Sequence, residues 1–146
     1  MKIMFICTGN ICRSAMAHAM LEQRAKQSNK DIQVYSCGVF ADDGARATYE
    51  AIEAIGEYGV NLKEHKATNI RNSKIVEMDI ILCATQNHKK MVEQMHPNLA
   101  TKIFTMKEYA KKEGDLDIKD PWGYDLATYR KCAAEIEEVV NYILKS

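Results

Sequence analysis

The sequence predicts an α/β fold in which a parallel sheet carries helices on both faces. Short apolar runs typical of strands alternate along the chain with stretches of helical periodicity. The length of 146 residues fits one domain around a single core, predicted over residues 1–146. Hydrophobic residues make up 47% of the chain, with only 7 Gly and 2 Pro, which excludes disordered and fibrous classes.

The first half of the chain predicts two strand-helix units. Residues 2–6 are an apolar run rich in Ile, typical of a strand buried on both faces. Turn formers at 8–10 end this run, and strong helix formers follow over 14–25. Alternating side chains predict a second strand over 32–37, and the spacing of apolar residues predicts a helix over 47–58.

The second half continues the alternation. It predicts a short helix over 73–77, a buried strand over 78–83, a helix over 85–95, a short strand over 102–105 and a last helix over 125–144. Pro97 ends the third of these elements, because the residue before a proline is disfavoured in a helix. Ligands of such sheets bind beyond the carboxyl ends of the strands, which directs attention to residues 7–14.

Charge and hydropathy exclude several classes of partner. Twenty Lys and Arg balance twenty Asp and Glu, so no bulk positive field would hold nucleic acid or an anionic membrane. No apolar run approaches the roughly 20 residues of a membrane span, and the apolar start is too short for a signal peptide. We therefore expect a cytoplasmic monomer without a nucleic-acid or membrane partner.

The five cysteines are an odd number, and no export signal accompanies them, so reduced thiols are expected. No Cys-x-x-Cys pair occurs, and the four histidines lack ligand spacing, so we expect no metal site. Neither a nucleotide P-loop nor a dinucleotide-binding glycine pattern is present, and we expect no cofactor.

The segment from Cys7 to Ser14 carries the chemistry. It joins a strand directly to a helix, so its backbone N–H groups can converge on an anion at the positive helix end. A helix N-terminus and a nearby cation favour the thiolate of a cysteine, which makes Cys7 a candidate nucleophile. The planar fork of Arg13 can bind two phosphoryl oxygens, and the Ser14 hydroxyl can donate to the sulfur. If Cys7 were only a buried packing residue at the end of a strand, the position of Arg13 in the same loop would have no explanation.

This Cys-x5-Arg-Ser loop closely resembles that of the low-molecular-weight protein tyrosine phosphatases. The resemblance covers nearly the whole chain and includes these segments: Cys7 to Ser14, Ser36 and Gly38, His65-Lys66-Ala67, Asp79 to Cys83, and Asp120-Pro121 with Trp122. It implies a four-stranded parallel sheet of order 2-1-3-4. It also implies a protein phosphatase that needs no metal and acts on phosphorylated proteins.

By resemblance, Cys7 becomes phosphocysteine, Arg13 clamps the phosphate, and Asp120 is the general acid and later the base. The chemistry agrees, because a tyrosyl leaving group has a pKa of about 10 and its departure at neutral pH gains from a proton donor. From the residues alone, Asp120 could instead be a turn residue, and Asp115 and Asp117 are rival acids.

The resemblance also assigns supporting roles. Phosphate binding and its surroundings involve Thr8, Gly9, Asn10, Ile11, Cys12, Ser14, Ser36 and His65. Asn10 is expected in a left-handed conformation, with its side chain in a network with Ser14, Ser36 and His65. Phe40 and Trp122 are expected to form a wall for the substrate's flat group, although Trp122 could also be a core aromatic.

Cys12 lies in the same loop, and the resemblance implies that oxidised Cys7 can form a disulfide with it, which would make inactivation reversible. Cys37, Cys83 and Cys132 are expected to be packing residues. The chain departs from the family pattern at Ala15 and His18, where Pro and Glu are usual.

The phosphoamino acid is predicted from Ile11. Bacterial arginine phosphatases of this family resemble the chain in three segments, Gly38 to Ala41, Lys107 to Tyr109 and Trp122-Gly123, but they carry Thr where Ile11 stands. Isoleucine offers apolar contact to a tyrosyl ring and leaves a guanidinium unpaired. We therefore predict phosphotyrosine as the substrate, with phosphoarginine as the alternative.

Two other functions share the loop. Thiol-dependent arsenate reductases need two further cysteines after the third strand, where this chain has Cys83 followed by Lys89 and Lys90. A non-catalytic phosphate-binding module is the other alternative. Replacing Cys7 by serine separates a catalyst, which would lose turnover yet keep binding, from a pure binder, which would hardly be altered.

Overall fold

Four parallel strands form the centre of the computed structural model, which describes residues 1–146. They are β1 (Lys2–Cys7), β2 (Gln33–Gly38), β3 (Ile80–Cys83) and β4 (Ile103–Thr105). Their order is β2-β1-β3-β4, with every neighbouring pair parallel, as predicted. The connection from β1 leads to β2 on one side, and the connection from β2 crosses to β3 on the other side of β1. The strand order therefore reverses at β1, and a crevice opens at its carboxyl end.

Five α-helices surround the sheet: α1 (Arg13–Gln27), α2 (Tyr49–Gly56), α3 (Gln86–Met95), α4 (Met106–Tyr109) and α5 (Leu126–Lys145). Short 3-10 segments lie at Ile70–Asn72, Ile75–Glu77 and Pro97–Lys102. The four long helices were predicted, although α2 is shorter than expected. None of the helices combines the length and the apolar character needed to cross a bilayer.

Each face of the sheet packs against its own layer. Ile3 and Phe5 of β1 belong to a cluster with buried residues of α1, α2 and α5. Met4 and Ile6, which point the other way, pack with Val92 of α3 and with the 3-10 segments. Successive residues of a strand point to opposite faces, so an uninterrupted apolar run buries β1 on both sides. The predicted two-layered covering of the sheet is confirmed.

The end of β2 presses closely on the loop after β1. A Cβ atom at Gly38 would lie 2.5 Å from the backbone oxygen of Thr8 and 2.9 Å from the backbone nitrogen of Asn10. Only glycine permits this approach. On the other side, the Ile118 N–H donates to the Ala84 carbonyl at 2.9 Å, which ties the segment before α5 to the end of β3. Residues from distant parts of the chain therefore meet beside Cys7.

Candidate active site

A cavity of about 250 Å³ opens at the carboxyl end of β1. Its lining residues are Cys7, Thr8, Gly9, Ile11, Cys12, Arg13, Asp120 and Trp122. The structure thus brings together the nucleophile, the arginine and the acid predicted from the sequence. The backbone N–H groups of Thr8, Gly9, Ile11, Cys12 and Arg13 donate to no protein acceptor. Free amides around one cavity at a helix N-terminus suit an oxyanion.

The Cys7 sulfur lies at the floor of this cavity and is held by two donors. Its Sγ atom is 2.9 Å from Ser14 Oγ and accepts the Asn10 backbone N–H at 3.3 Å. The Asn10 Nδ2 group donates to Ser14 Oγ at 2.8 Å. Because an amide nitrogen only donates, the Ser14 hydroxyl accepts from Asn10 and keeps its own proton for the sulfur. Both donors stabilise negative charge on Cys7.

Asn10 shapes the loop through both its backbone and its side chain. Its φ of 57° is left-handed, as predicted, and asparagine tolerates this region better than most residues. Its Oδ1 accepts the Thr68 N–H at 2.9 Å, and its carbonyl accepts from His65 Nε2 at 2.6 Å. Hydrogen bonds from His65 and Thr68, which lie far from the loop in sequence, therefore hold the loop in this conformation.

Ser36 does not make the expected contact with Asn10. Its Oγ lies 2.7 Å from Nδ1 of His18 instead. His18 occupies the space between Ser36 and His65, and the two imidazole rings stand edge to face with centroids 6.3 Å apart. Burial lowers the pKa of both histidines. His18 was not predicted as part of the site; the only signal was its departure from the family's usual glutamate.

Arg13 is buried and partly held by the fold. Its Nη1 donates to the Ile118 carbonyl at 2.9 Å, and its Nη2 lies 3.7 Å from Asp120 Oδ2. Its Nε is buried without a hydrogen-bond partner. An unpaired buried donor is costly, so such groups in folded proteins mark a ligand or a strained site. With Nη1 occupied, Nε and Nη2 form the edge available to two phosphoryl oxygens.

Asp120 is the aspartate that lines the cavity. Its side chain is 54% exposed, and its Oδ1 accepts the Trp122 N–H at 3.1 Å. The two rival carboxylates accept hydrogen bonds from backbone N–H groups outside the cavity. Asp117 accepts from the Gln86 N–H at 2.8 Å, and Asp115 accepts from the Asp117 N–H at 2.9 Å. Neither of them lines the cavity. Their positions favour Asp120 as the acid.

The two aromatic residues predicted as a wall differ in position. Trp122 lines the cavity and is 63% exposed, so it is not a core aromatic. The Phe40 backbone N–H donates to the Thr8 carbonyl at 2.9 Å, which places Phe40 beside the loop. Its side chain is 70% exposed and does not line the cavity. Trp122 thus forms part of the cavity wall, whereas Phe40 would contact only a substrate that extends beyond the cavity.

The remaining cysteines lie outside the cavity, except Cys12. Cys12 Sγ contacts the Tyr129 hydroxyl at 3.4 Å and Thr48 Oγ1 at 3.6 Å, and burial raises the pKa of its thiol. Cys37, Cys83 and Cys132 are buried in the core, where desolvation raises their thiol pKa values. Cys83, on which an arsenate reductase would depend, is inaccessible. No cluster of His, Cys, Asp or Glu side chains is arranged to hold a metal ion.

A cysteine at the floor of an amide-lined loop, an arginine with a free edge and an aspartate at the rim define the site of a cysteine-dependent phosphatase. The family model for low molecular weight phosphotyrosine protein phosphatases matches residues 2–146. The chain belongs to this family, and the prediction from the loop motif is confirmed. The protein is a phosphatase.

Relatives carry two different activities in their names. A protein-arginine-phosphatase of Bacillus subtilis (strain 168) is 33% identical over 99% of this chain and 95% of its own length. The crystal structure of a low molecular weight protein tyrosine phosphatase from T. tengcongensis has a TM-score of 0.93 and 36% identity, covering 99% and 98% of the two chains. A structure of the arginine phosphatase YwlE, a C7S mutant with a phosphorylated active-site serine, has a TM-score of 0.92 and 33% identity, covering 99% and 94%.

Proposed function

We propose that this protein hydrolyses phosphotyrosine in proteins through a phosphocysteine intermediate on Cys7. The observation that carries the proposal is the convergence of Cys7 Sγ, the free loop amides, the unpaired Arg13 Nε and Asp120 on one cavity. The phosphorylated serine in the YwlE mutant supports the same assignment of the nucleophile. Cleavage of phosphotyrosine peptides by the purified protein without added metal tests it, and a requirement for metal would contradict the mechanism.

In the first step the Cys7 thiolate attacks phosphorus. The S–P bond forms, the bond from phosphorus to the tyrosyl oxygen breaks, and protonated Asp120 gives its proton to that oxygen. The loop amides and the free edge of Arg13 stabilise the charge on the equatorial phosphoryl oxygens. Because these donors are already in place, little reorganisation is needed during transfer.

In the second step Asp120, now ionised, takes a proton from a water molecule that attacks phosphorus. The S–P bond breaks, the electron pair returns to Cys7, and inorganic phosphate leaves. The Ser14 hydroxyl, 2.9 Å from the sulfur, donates to the departing thiolate. Asn10 keeps that hydroxyl oriented, because its amide donates to a lone pair of the hydroxyl oxygen.

The walls of the cavity favour a flat apolar group. Ile11 and Trp122 both line it together with Cys7, which suits a tyrosyl ring. Hydrolysis of phosphoarginine in proteins is the second candidate function. It is favoured by the similarity to a protein-arginine-phosphatase that is 33% identical to this chain. A phosphoguanidinium carries N–H donors that an isoleucine side chain cannot accept, so it would lose hydrogen bonds at this position.

Ile11→Thr is therefore expected to shift substrate preference toward phosphoarginine. A hydroxyl at this position accepts a guanidinium N–H and removes apolar contact with a ring, and we expect the ratio of kcat/KM for the two substrates to change by about tenfold. Matched peptides carrying phosphotyrosine or phosphoarginine measure it. Ile11→Val is the control, because it keeps the apolar character. If wild-type protein already cleaved phosphoarginine peptides much faster, the phosphotyrosine assignment would be wrong.

We further propose that Cys12 protects Cys7 from irreversible oxidation. This role suits a reducing compartment such as the cytoplasm, where the disulfide can be reduced again. Hydrogen peroxide converts the Cys7 thiolate to a sulfenic acid with release of hydroxide. The Cys12 thiol then attacks that sulfur, which forms the disulfide and releases water. The Cys12 thiol must first leave Tyr129 and Thr48, since both contact its sulfur.

Cys12→Ser should make peroxide inactivation permanent. Wild-type activity is expected to return after dithiothreitol, because a disulfide is reducible, whereas a cysteine oxidised to sulfinic acid is not. Recovered activity on p-nitrophenyl phosphate after matched peroxide exposure measures the difference. Cys132→Ala, a core cysteine outside the cavity, is the control. Full recovery in Cys12→Ser would exclude a resolving role for Cys12.

A further inference from the structure

A buried histidine connects the active-site loop to helix α3. His88 is 5% exposed, and its Nε2 lies 2.8 Å from Thr8 Oγ1 across 80 residues of sequence. Its Nδ1 lies 2.8 Å from Oγ1 of Thr85, the residue that caps the helix. Thr8 itself lines the cavity. The two hydroxyls and the ring therefore form one chain of hydrogen bonds that ends at the site.

The ring in this chain is neutral at neutral pH. Burial, together with the nearby Arg13 guanidinium, lowers the pKa of His88 to about 4, and the carboxylates of Asp120 and Asp117 only partly oppose this. A neutral imidazole has one donor nitrogen and one acceptor nitrogen. The chain must consequently run in a single direction, either from Thr85 toward Thr8 or the reverse.

The two directions differ in what Thr8 presents to the cavity. If His88 Nε2–H donates to Thr8 Oγ1, the Thr8 hydroxyl proton is free to donate elsewhere. If the Thr8 hydroxyl donates to the ring, only its oxygen lone pairs remain. A phosphoryl dianion in the cavity attracts the free proton and repels lone pairs. Thr85 can serve the first direction, since its oxygen accepts the His88 backbone N–H at 3.1 Å and its own proton is left for Nδ1.

We propose that His88 is a positioning residue that donates from Nε2 to Thr8, so that the Thr8 hydroxyl donates to an oxygen of the bound phosphoryl group. Thr8 then adds a side-chain donor to the amides of the loop. The inference rests on the proposed function only in requiring that the cavity bind a phosphoryl group, whichever phosphoamino acid carries it. Arg13, Asp120 and Cys7 keep the roles given above.

Binding of tungstate, a tetrahedral dianion, tests the Thr8 contact without turnover. Thr8→Val keeps the shape and removes the hydroxyl, and we expect the Kd for tungstate to rise about tenfold, as for loss of one hydrogen bond to a charged group. Thr8→Ser retains the hydroxyl and is expected to weaken binding by no more than about threefold. An unchanged Kd in folded Thr8→Val would overturn the proposal. If wild-type protein bound tungstate but did not hydrolyse phosphotyrosine peptides, only the substrate assignment would be overturned, and the Thr8 contact would stand.

A double-mutant cycle tests whether His88 acts through Thr8. His88→Leu removes the donor and should also weaken tungstate binding, whereas His88→Gln, whose amide reaches the Nε2 position, should restore most of it. In the Thr8→Val background, His88→Leu should have no further effect on Kd, because the two residues act as a unit. Additive losses would show a merely structural role.

The tautomer of His88 gives a readout that does not depend on any variant folding. Nitrogen-15 spectra of the wild-type histidine side chains distinguish a ring protonated at Nε2 from one protonated at Nδ1. We expect the Nε2–H form in the tungstate complex. An Nδ1–H ring in that complex would contradict the proposed direction.

Discussion

Replacing Cys7 by serine is expected to lower kcat on p-nitrophenyl phosphate by at least about 10⁴-fold. A serine hydroxyl at the same position is a far weaker nucleophile than a thiolate held by Ser14 and the Asn10 amide. A phosphoserine ester, once formed, would not turn over, since an alkoxide is a poor leaving group. Steady-state kinetics measure the loss, and tungstate binding should persist because the loop amides and Arg13 remain.

The control for this variant is Cys37→Ala. Cys37 is buried in the core on the opposite side of the sheet from α1 and does not line the cavity. Its replacement should keep kcat within about threefold. The small cavity left in the core should lower only the thermal stability. A Cys7→Ser enzyme that retained a tenth of wild-type kcat would exclude Cys7 as the nucleophile.

Asp120→Asn is expected to lower kcat by about 10²- to 10³-fold on phenyl phosphate, within the range of general acid catalysis. Asparagine matches the shape of the carboxyl group but has no acidic proton. The loss should be smaller on p-nitrophenyl phosphate, whose more acidic phenol leaves without protonation. A series of substituted phenyl phosphates therefore measures the effect as a steeper dependence of rate on leaving-group pKa.

Asp115→Asn and Asp117→Asn are the matched controls. Both carboxylates accept backbone N–H groups, and an asparagine oxygen can accept them as well. Neither lines the cavity, so kcat should stay within about threefold for each. If either variant lost as much activity as Asp120→Asn, with the same sensitivity to the leaving group, the acid would be misassigned.

The sequence alone predicts the sheet and the loop because both depend on local patterns. β1 and β3 are uninterrupted apolar runs, and a strand buried on both faces requires such a run. The loop spacing from Cys7 to Ser14 fits between the end of one strand and the start of one helix. Helix α4 was missed because four residues are too few for periodicity; it depends on the reciprocal capping of Thr105 and Glu108.

Contacts between distant segments could not be read from the sequence. His18 and Ser36 meet only because α1 packs beside β2, and Thr8 meets His88 only because β1 and β3 are neighbours. Neither histidine stands in a motif that marks it. The side of the molecule on which Trp122 lies was likewise open, because an aromatic after Asp-Pro suits both a core and a cavity wall. Tertiary packing decides each of these placements.

In the proposed mechanism the phosphoryl group is transferred to the sulfur of Cys7 before water releases it. Rapid quenching of wild-type protein during turnover of p-nitrophenyl phosphate, followed by mass spectrometry of its peptides, tests this transfer, because an intermediate that forms faster than it breaks down accumulates. The expected result is a phosphoryl group on the peptide that contains Cys7, with a ³¹P resonance typical of a thiophosphate ester. A phosphoryl group on a histidine or aspartate side chain would contradict the mechanism. A burst of p-nitrophenol release with no phosphorylated peptide would contradict it as well.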